Sequence, residues 1–267
     1  MQASLIVFVG GGNMATALVG GLLRSGHPPD SVVIVEPMAE QRARLAQQFG
    51  VRTLAAADAS LARATQLVWA VKPQVFAEAA QACAGQVGGA LHLSVMAGIR
   101  CAAIAQATGA TRIVRSMPNT PALIGQGIAG LYATPAVSAA ERAQVEALLA
   151  PTGRTLWVAQ EADLDAVTAL SGSGPAYVFY FIEAMLQAAQ DMGLDAEQGR
   201  ALALATFAGA TELARQSDEP VSLLRERVTS KGGTTHAALS SMEADGVKAA
   251  LVKAIRAAQQ RARELGA

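Results

Sequence analysis

Three glycines near the amino terminus sit in the stretch that says most about the chemistry of this sequence. Gly10, Gly12 and Ala15 occupy the positions of G-x-G-x-x-G/A, with Gly11, Asn13 and Met14 between them. The first permits a tight turn, the second lets a pyrophosphate approach the backbone, and the small third lets a helix pack on a strand. The helix after the turn would point free N–H groups at the phosphates. A glycine-rich turn that binds nothing is the other reading of the same residues. Glu36 stands 21 positions after Ala15 and follows the β-branched run 31–35. An acid at that place bonds the adenosine ribose of a dinucleotide. It also repels a 2′-phosphate, which favours NAD(H) over NADP(H). Arg42 and Arg44, on the next helical segment, could partly undo that preference. An ordinary charged residue after a strand is the alternative for Glu36.

Further segments could touch the same ligand. Ala70-Val71-Lys72-Pro73 closes the apolar run 67–71, Met96-Ala97-Gly98 follows 91–95, and Met117-Pro118-Asn119-Thr120-Pro121 follows 112–116. In open α/β sheets, ligands sit outside the carboxyl ends of the strands. A cofactor lying across the crest would touch all three segments. Lys72 is the only cation among them, and a solvated loop lysine is its other reading. Two later segments are less easily read as scaffold. Ser171-Gly172-Ser173-Gly174-Pro175-Ala176-Tyr177 is a capped loop or a polar-ligand loop before a helix. Thr229-Ser230-Lys231-Gly232-Gly233-Thr234-Thr235-His236 gathers hydroxyls and glycines at a helix start. Exposed N–H groups, hydroxyl donors and the helix dipole make such a place an anion nest that fits a small carboxylate. A simple helix cap, with Thr234 as N-cap, is the competing reading.

The elements that must position these residues alternate up to about residue 160. Apolar runs read as strands at 4–9, 32–35, 67–71, 91–95, 112–116, 128–132 and 155–158. Helical spacing appears at 13–24, 38–48, 74–82, 100–107 and 138–149. This rhythm predicts an α/β fold, a Rossmann-type doubly wound sheet, over residues 1–160. The runs 112–116 and 128–132 lie too close for an intervening helix and are expected to pair antiparallel at the sheet edge. After 160 the strands vanish, which predicts an all-helical domain over 161–267. Pro175 opens one helix that Gly193 ends. Asp195 with Gln198 resembles a capping box for a helix running to Gln216. Pro220 starts a short helix, and Gly246 separates the last two.

Composition narrows the classes further. Apolar residues make up 52% of the 267 and charged ones 16%, with a mean hydropathy of +0.30. That implies a large core and apolar surface hidden between subunits. Lys and Arg (21) balance Asp and Glu (21), so nothing argues for nucleic acid or an anionic membrane as partner. Cys83 and Cys101 are isolated thiols without C-x-x-C spacing, as expected in a reducing compartment. No basic leader and no membrane-spanning apolar run is evident, so a cytoplasmic protein is expected. His, Cys, Asp and Glu do not cluster at metal-ligand spacing, and no G-x-S-x-G elbow occurs. A nicotinamide would leave the protein only two reactants to orient and one proton to handle.

Taken together, the segments resemble the Δ1-pyrroline-5-carboxylate reductase family. The matching residues are Val9-Gly10-Gly11-Gly12-Asn13-Met14, Ala70-Val71-Lys72-Pro73, Met117-Pro118-Asn119-Thr120-Pro121, Leu170-Ser171-Gly172-Ser173-Gly174-Pro175-Ala176-Tyr177 and Gly232-Gly233-Thr234-Thr235. The glycine turn is shared with many dehydrogenases; the Ser-Gly-Ser-Gly-Pro-Ala-Tyr and Gly-Gly-Thr-Thr segments are far more specific. The resemblance implies reduction of Δ1-pyrroline-5-carboxylate to L-proline with NAD(P)H, the last step of proline biosynthesis. It implies a helical domain that interlocks with a second subunit, and in some members five dimers in a decamer. It implies cofactor contacts at Gly10, Gly11, Gly12, Asn13, Met14, Glu36, Ala70, Val71, Lys72, Pro73, Met96, Ala97, Gly98 and Asn119. Substrate would be held near Ser230, Gly232, Gly233, Thr234 and Thr235, with the Thr235 hydroxyl beside the ring nitrogen. Many members carry a polar, Arg-containing segment after the second strand; Glu36-Pro37 stands there instead and turns the expectation toward NADH. A β-hydroxyacid dehydrogenase is the enzyme alternative, weakened because no lysine follows Gly174 before Asp191. A dinucleotide-sensing protein without catalysis is the other.

Overall fold

The computed structural model describes residues 4–87 and 89–266. The alternating elements appear as β1 (Leu5–Val9), α1 (Asn13–Arg24), β2 (Val32–Val35), α2 (Ala39–Phe49), β3 (Arg52–Leu54), β4 (Ala64–Trp69) and α3 (Phe76–Ala82). They continue as β5 (Leu91–Ser94), α4 (Cys101–Thr108), β6 (Ile113–Met117), β7 (Gly127–Ala133), α5 (Ala139–Leu149) and β8 (Gly153–Trp157). One eight-stranded sheet results, in the order β3-β2-β1-β4-β5-β6-β7-β8. Successive residues of a strand point to opposite faces, and here both faces are covered. Ile6, Phe8 and Ile34 pack with Leu18 and Leu22 of α1 on one side. Val7, Val9 and Val33 pack with Trp69, Phe76 and Ile104 on the other. Burial on both faces is why β1 and β2 read as unbroken apolar runs.

The strands from β3 to β6 run parallel. β6 and β7 pair antiparallel, with Arg115 opposite Tyr132, as their short separation requires. They do not form the edge, because β8 lies outside β7 and parallel to it. β3 has no counterpart among the expected strands. It is three residues long, none of them buried, and it forms because Val33 to Val35 offer it a paired edge. Chain order reverses between β1 and β4, so the turn after β1 and the segment after β4 meet side by side at the crest.

Beyond β8 the chain is helical: α6 (Asp163–Val167), α7 (Gly174–Asp191), α8 (Ala196–Gln216), α9 (Val221–Arg227), α10 (Thr234–Ala244) and α11 (Val247–Leu265). Asp195 and Gln198 form both bonds of the capping box that opens α8. The serine-glycine stretch is not a free loop. Residues Thr168–Gly172 form a π-helical turn between α6 and α7, with the Ser173 N–H donating to the Thr168 carbonyl at 2.8 Å. Ser171 and Thr168 turn their hydroxyls back onto the carbonyls four residues earlier, Val167 and Leu164. Gly172 lies against Met117: a β-carbon there would be 2.7 Å from the Met117 methyl, which would have to shift.

The chain forms two compact units. One takes in the chain up to Ser173 together with the segment from Ala258 onward; the other is Gly174–Ala257. In the second unit α7 and α8 pack closely, with Gly199 placed where a β-carbon would touch Ala189 at 2.9 Å. Yet among its described residues only Ala189, Gly199 and Ala203 are buried. Phe179, Tyr180, Leu202, Leu213 and Val228 are more than half exposed. That much exposed apolar surface on one chain is of the kind a subunit interface covers. No helix among the described residues is long and apolar enough to cross a membrane.

Candidate active site

The crest of the sheet is assembled by backbone hydrogen bonds between adjacent strand ends. Gly10 N–H donates to Val35 O at 2.8 Å, Ala70 N–H to Val9 O at 2.8 Å, and Val95 N–H to Trp69 O at 3.0 Å. These bonds bring Gly10 to Met14, Ala70 to Pro73 and Met96 to Gly98 into one row. Gly10 has φ +99°, a left-handed conformation that glycine alone adopts without strain. Gly12 is the N-cap of α1, no side chain caps that helix, and no atom lies within 4 Å of where its β-carbon would be. Thr16 is the first residue to return a hydrogen bond, to Gly12 O. The amides of Asn13, Met14 and Ala15 therefore face an open, uncapped helix start, which suits an anion. Asn119 lies two residues beyond the end of β6, its Oδ1 accepting from Ile128 N–H at 3.0 Å. Lys72 is exposed beside the turn.

Glu36 is buried at 8% exposure directly beneath the glycine turn. Its Oε2 accepts from Gly11 N–H and its Oε1 from Met38 N–H, both at 2.9 Å. The carboxylate thus fixes the shape of the turn. Arg42 donates from one terminal nitrogen to the carbonyls of Glu36 (2.9 Å) and Pro37 (2.7 Å), so that nitrogen is held by its own loop. Gln41 completes the brace by donating to Gly11 O. Sequence reasoning missed Gln41; a polar side chain on the first turn of a helix gives no signal of its target.

The segment from Met96 to Cys101 is braced from residues far along the chain. Ser94 Oγ accepts from Met96 N–H at 3.3 Å. Glu161 Oε1 accepts from Cys101 N–H, the free amino end of α4, and from Arg115, each at 2.7 Å. The titratable groups nearby are not reactive ones. Burial pushes the Cys101 thiol up to about 12, with the Glu161 carboxylate adding to the effect, and burial alone pushes Cys83 to about 11. Neither is a nucleophile at neutral pH. His92 accepts from the Trp69 indole N–H at 3.2 Å, and burial, aided by the Arg112 charge, lowers it to about 4. It is neutral at physiological pH and belongs to the core.

The helical unit carries the second candidate locus. Gly233, not Thr234, is the N-cap of α10, and no side chain caps it. The cap reading of Thr234 therefore fails: Thr234 and Thr235 are the first two residues of the helix itself. Gly233 N–H donates to Ser230 O at 3.0 Å, and Ala237 is the first to return a bond, to Gly233 O. A β-carbon at Gly233 would lie 2.5 Å from Ser230 Oγ, so glycine is needed for the serine to reach the helix start. The amides of Thr234, Thr235 and His236, the Ser230 hydroxyl and the half-buried Thr235 stand together there. Gly232, at φ +76°, makes the bend that brings Ser230 over.

Comparison with known proteins gives this geometry its setting. Residues 161–265 match a family model described as pyrroline-5-carboxylate reductase dimerisation, and residues 5–98 match one described as NADP oxidoreductase, coenzyme F420-dependent. A Pseudomonas aeruginosa pyrroline-5-carboxylate reductase is 43% identical over 99% of this chain and 98% of its own. The Haemophilus influenzae protein of that name is 40% identical over the same shares. Among solved structures, a pyrroline-5-carboxylate reductase from Coxiella burnetii superposes with a TM-score of 0.92 at 33% identity, covering all of both chains. A Plasmodium falciparum pyrroline carboxylate reductase with NADP bound gives 0.89 at 26% identity, again over both whole chains.

Proposed function

The chain belongs to the pyrroline-5-carboxylate reductase family, and on that premise we propose that it reduces Δ1-pyrroline-5-carboxylate to L-proline, the last step of proline biosynthesis, using a reduced nicotinamide dinucleotide. The full-length match to relatives bearing that name carries this reading. The residues at the crest fit the cofactor: Gly12 leaves space at an uncapped helix start, and Gly10 gives the turn its left-handed bend. Gly10 to Met14 hold the pyrophosphate; Ala70 to Pro73, Met96 to Gly98 and Asn119 line the remainder, with Glu36 on the ribose.

The reduced nicotinamide supplies the hydride that adds to the carbon of the ring C=N bond. The chain's own groups bind and orient. The amides at the start of α10, with Ser230, Gly232, Gly233 and Thr234, hold the substrate carboxylate, where the helix dipole favours an anion. The Thr235 hydroxyl donates to the ring nitrogen, which gains electron density as the hydride adds. When the imine arrives protonated, no general acid is needed, and the hydroxyl instead accepts from the iminium N–H and orients the ring. The helical unit's bare apolar surface supports a homodimer, and we extend this to a decamer of five dimers acting in the cytoplasm.

Purified protein given Δ1-pyrroline-5-carboxylate is expected to deplete reduced-cofactor absorbance and accumulate proline. Cofactor consumption with a hydroxyacid or its keto partner, and none with pyrroline-5-carboxylate, overturns the assignment.

A further inference from the structure

The carboxyl-terminal turn of the chain is pressed against the loop that follows β5. Gly98 has φ +77°, and a β-carbon there would lie 2.8 Å from the Leu265 carbonyl oxygen and 3.3 Å from the Leu265 β-carbon. Two residues on, Arg100 is the N-cap residue of α4. Its Nε donates to the Gly266 carbonyl at 3.3 Å and a terminal nitrogen donates to Asp165 Oδ2 at 2.8 Å. Asp165 is 5% exposed. A β-carbon at Gly266 would lie 2.7 Å from Arg100 Nε, so the approach is close from both sides. Ala262, one turn earlier, is the buried residue that seats this end of α11.

We propose that Leu265 and Gly266, through Gly98 and the Arg100 bridge, position the Met96-Ala97-Gly98 loop for the dinucleotide, making Arg100 and the end of α11 positioning elements of the cofactor site. The proposal rests on the reading that this loop contacts the cofactor. The physical argument is one of preorganisation. Gly98 lacks a side chain to pack, and its left-handed backbone is soft. A loop of this kind keeps one shape only when neighbours fix it on more than one side. Here Glu161 fixes its far end at Cys101, and the terminus fixes its middle. A guanidinium is suited to the bridge because separate nitrogens reach two acceptors in different directions.

The test compares the full chain with Arg100→Lys and with a chain lacking residues 265–267. Lysine keeps a positive charge beside buried Asp165 but cannot span both acceptors. Dissociation constants for the reduced dinucleotide are read from its fluorescence, beside melting temperature and separate KM values for cofactor and substrate. Both variants are expected to bind the dinucleotide roughly two- to thirtyfold more weakly, with cofactor KM rising in step. Substrate KM and kcat at saturation stay near those of the full chain. Unchanged dinucleotide binding in both variants overturns the proposal, as does a fall in melting temperature without any change in cofactor KM. If the full chain itself fails to bind a dinucleotide, the cofactor reading fails first and independently.

Discussion

A β-carbon on Gly10 would lie 2.6 Å from the carbonyl oxygen of Ala70. Two neighbouring strand ends therefore approach each other as closely as backbone atoms allow, at the point where strand order reverses. Gly12, two residues on, has open space at the same position. The two glycines should respond oppositely to alanine. Gly10→Ala forces a positive φ and a backbone clash, and should destabilise the fold by roughly 2–4 kcal/mol. Gly12→Ala should leave the melting temperature nearly unchanged while weakening dinucleotide binding by about tenfold or more, because its methyl takes the pyrophosphate's place. Thermal melts and cofactor titrations on both variants decide the matter; equal binding by Gly12→Ala removes the phosphate from that turn.

Glu36 should make NADH at least as good a substrate as NADPH. Its carboxylate is held in place by the Gly11 and Met38 amides, so a 2′-phosphate meets a fixed negative charge. The comparison is kcat/KM for the two cofactors at one salt concentration. A tenfold advantage for NADPH, about 1.4 kcal/mol, would show that a residue such as Arg42 or Arg44 governs the pocket. Glu36→Ala should also lower stability by roughly 1–3 kcal/mol, since it strands the buried Gly11 amide.

Thr235→Ala should lower kcat/KM roughly tenfold to a thousandfold, the upper bound being that of a lost transition-state donor. Dinucleotide affinity should hold, and Thr235→Ser should recover much of the loss. No side chain caps α10, so a capping role does not compete. Intact turnover with a lowered melting temperature in the alanine variant would make the hydroxyl structural.

Acid should destabilise the fold before the carboxylates titrate, and His92 is the cause. Its folded value of about 4 lies below the ordinary 6.5, so the unfolded chain binds the proton first. The neutral imidazole's contribution is fully present above pH 6.5 and is lost as pH falls toward 4. By pH 4.5 the loss should reach about 2–3 kcal/mol. Urea unfolding across this window should show the slope, and His92→Leu should flatten it. An unaltered slope in that variant assigns the acid sensitivity elsewhere.

What could be read from the sequence was what local rules govern. The Gly10–Gly12 turn, the capping box of Asp195 and Gln198, and the antiparallel pairing of β6 with β7 follow from spacing over a few residues. What escaped depends on partners brought together by folding. β3 exists because β2 offers it an edge. The π-helical turn over Thr168–Gly172 packs against Met117, a neighbour about fifty positions away. Glu36 was legible as an acid in the right place but not as an acceptor for the Gly11 amide. The contact between Arg100 and Gly266 spans 166 positions, and no periodicity announces it.

The return of α11 to the first unit has a consequence for how the protein is made. Everything from Gly174 to Ala257 is an insertion between two parts of one folding unit. Domains fold as they leave the ribosome, amino-terminal parts first. Here the sheet can assemble early, but the Met96–Gly98 loop meets its last partner only when Leu265 and Gly266 emerge. A nascent chain stalled after Ser173 would have all eight strands and still lack the turn that steadies its crest. Completion of the first unit thus waits until the helical unit between its two parts has been made.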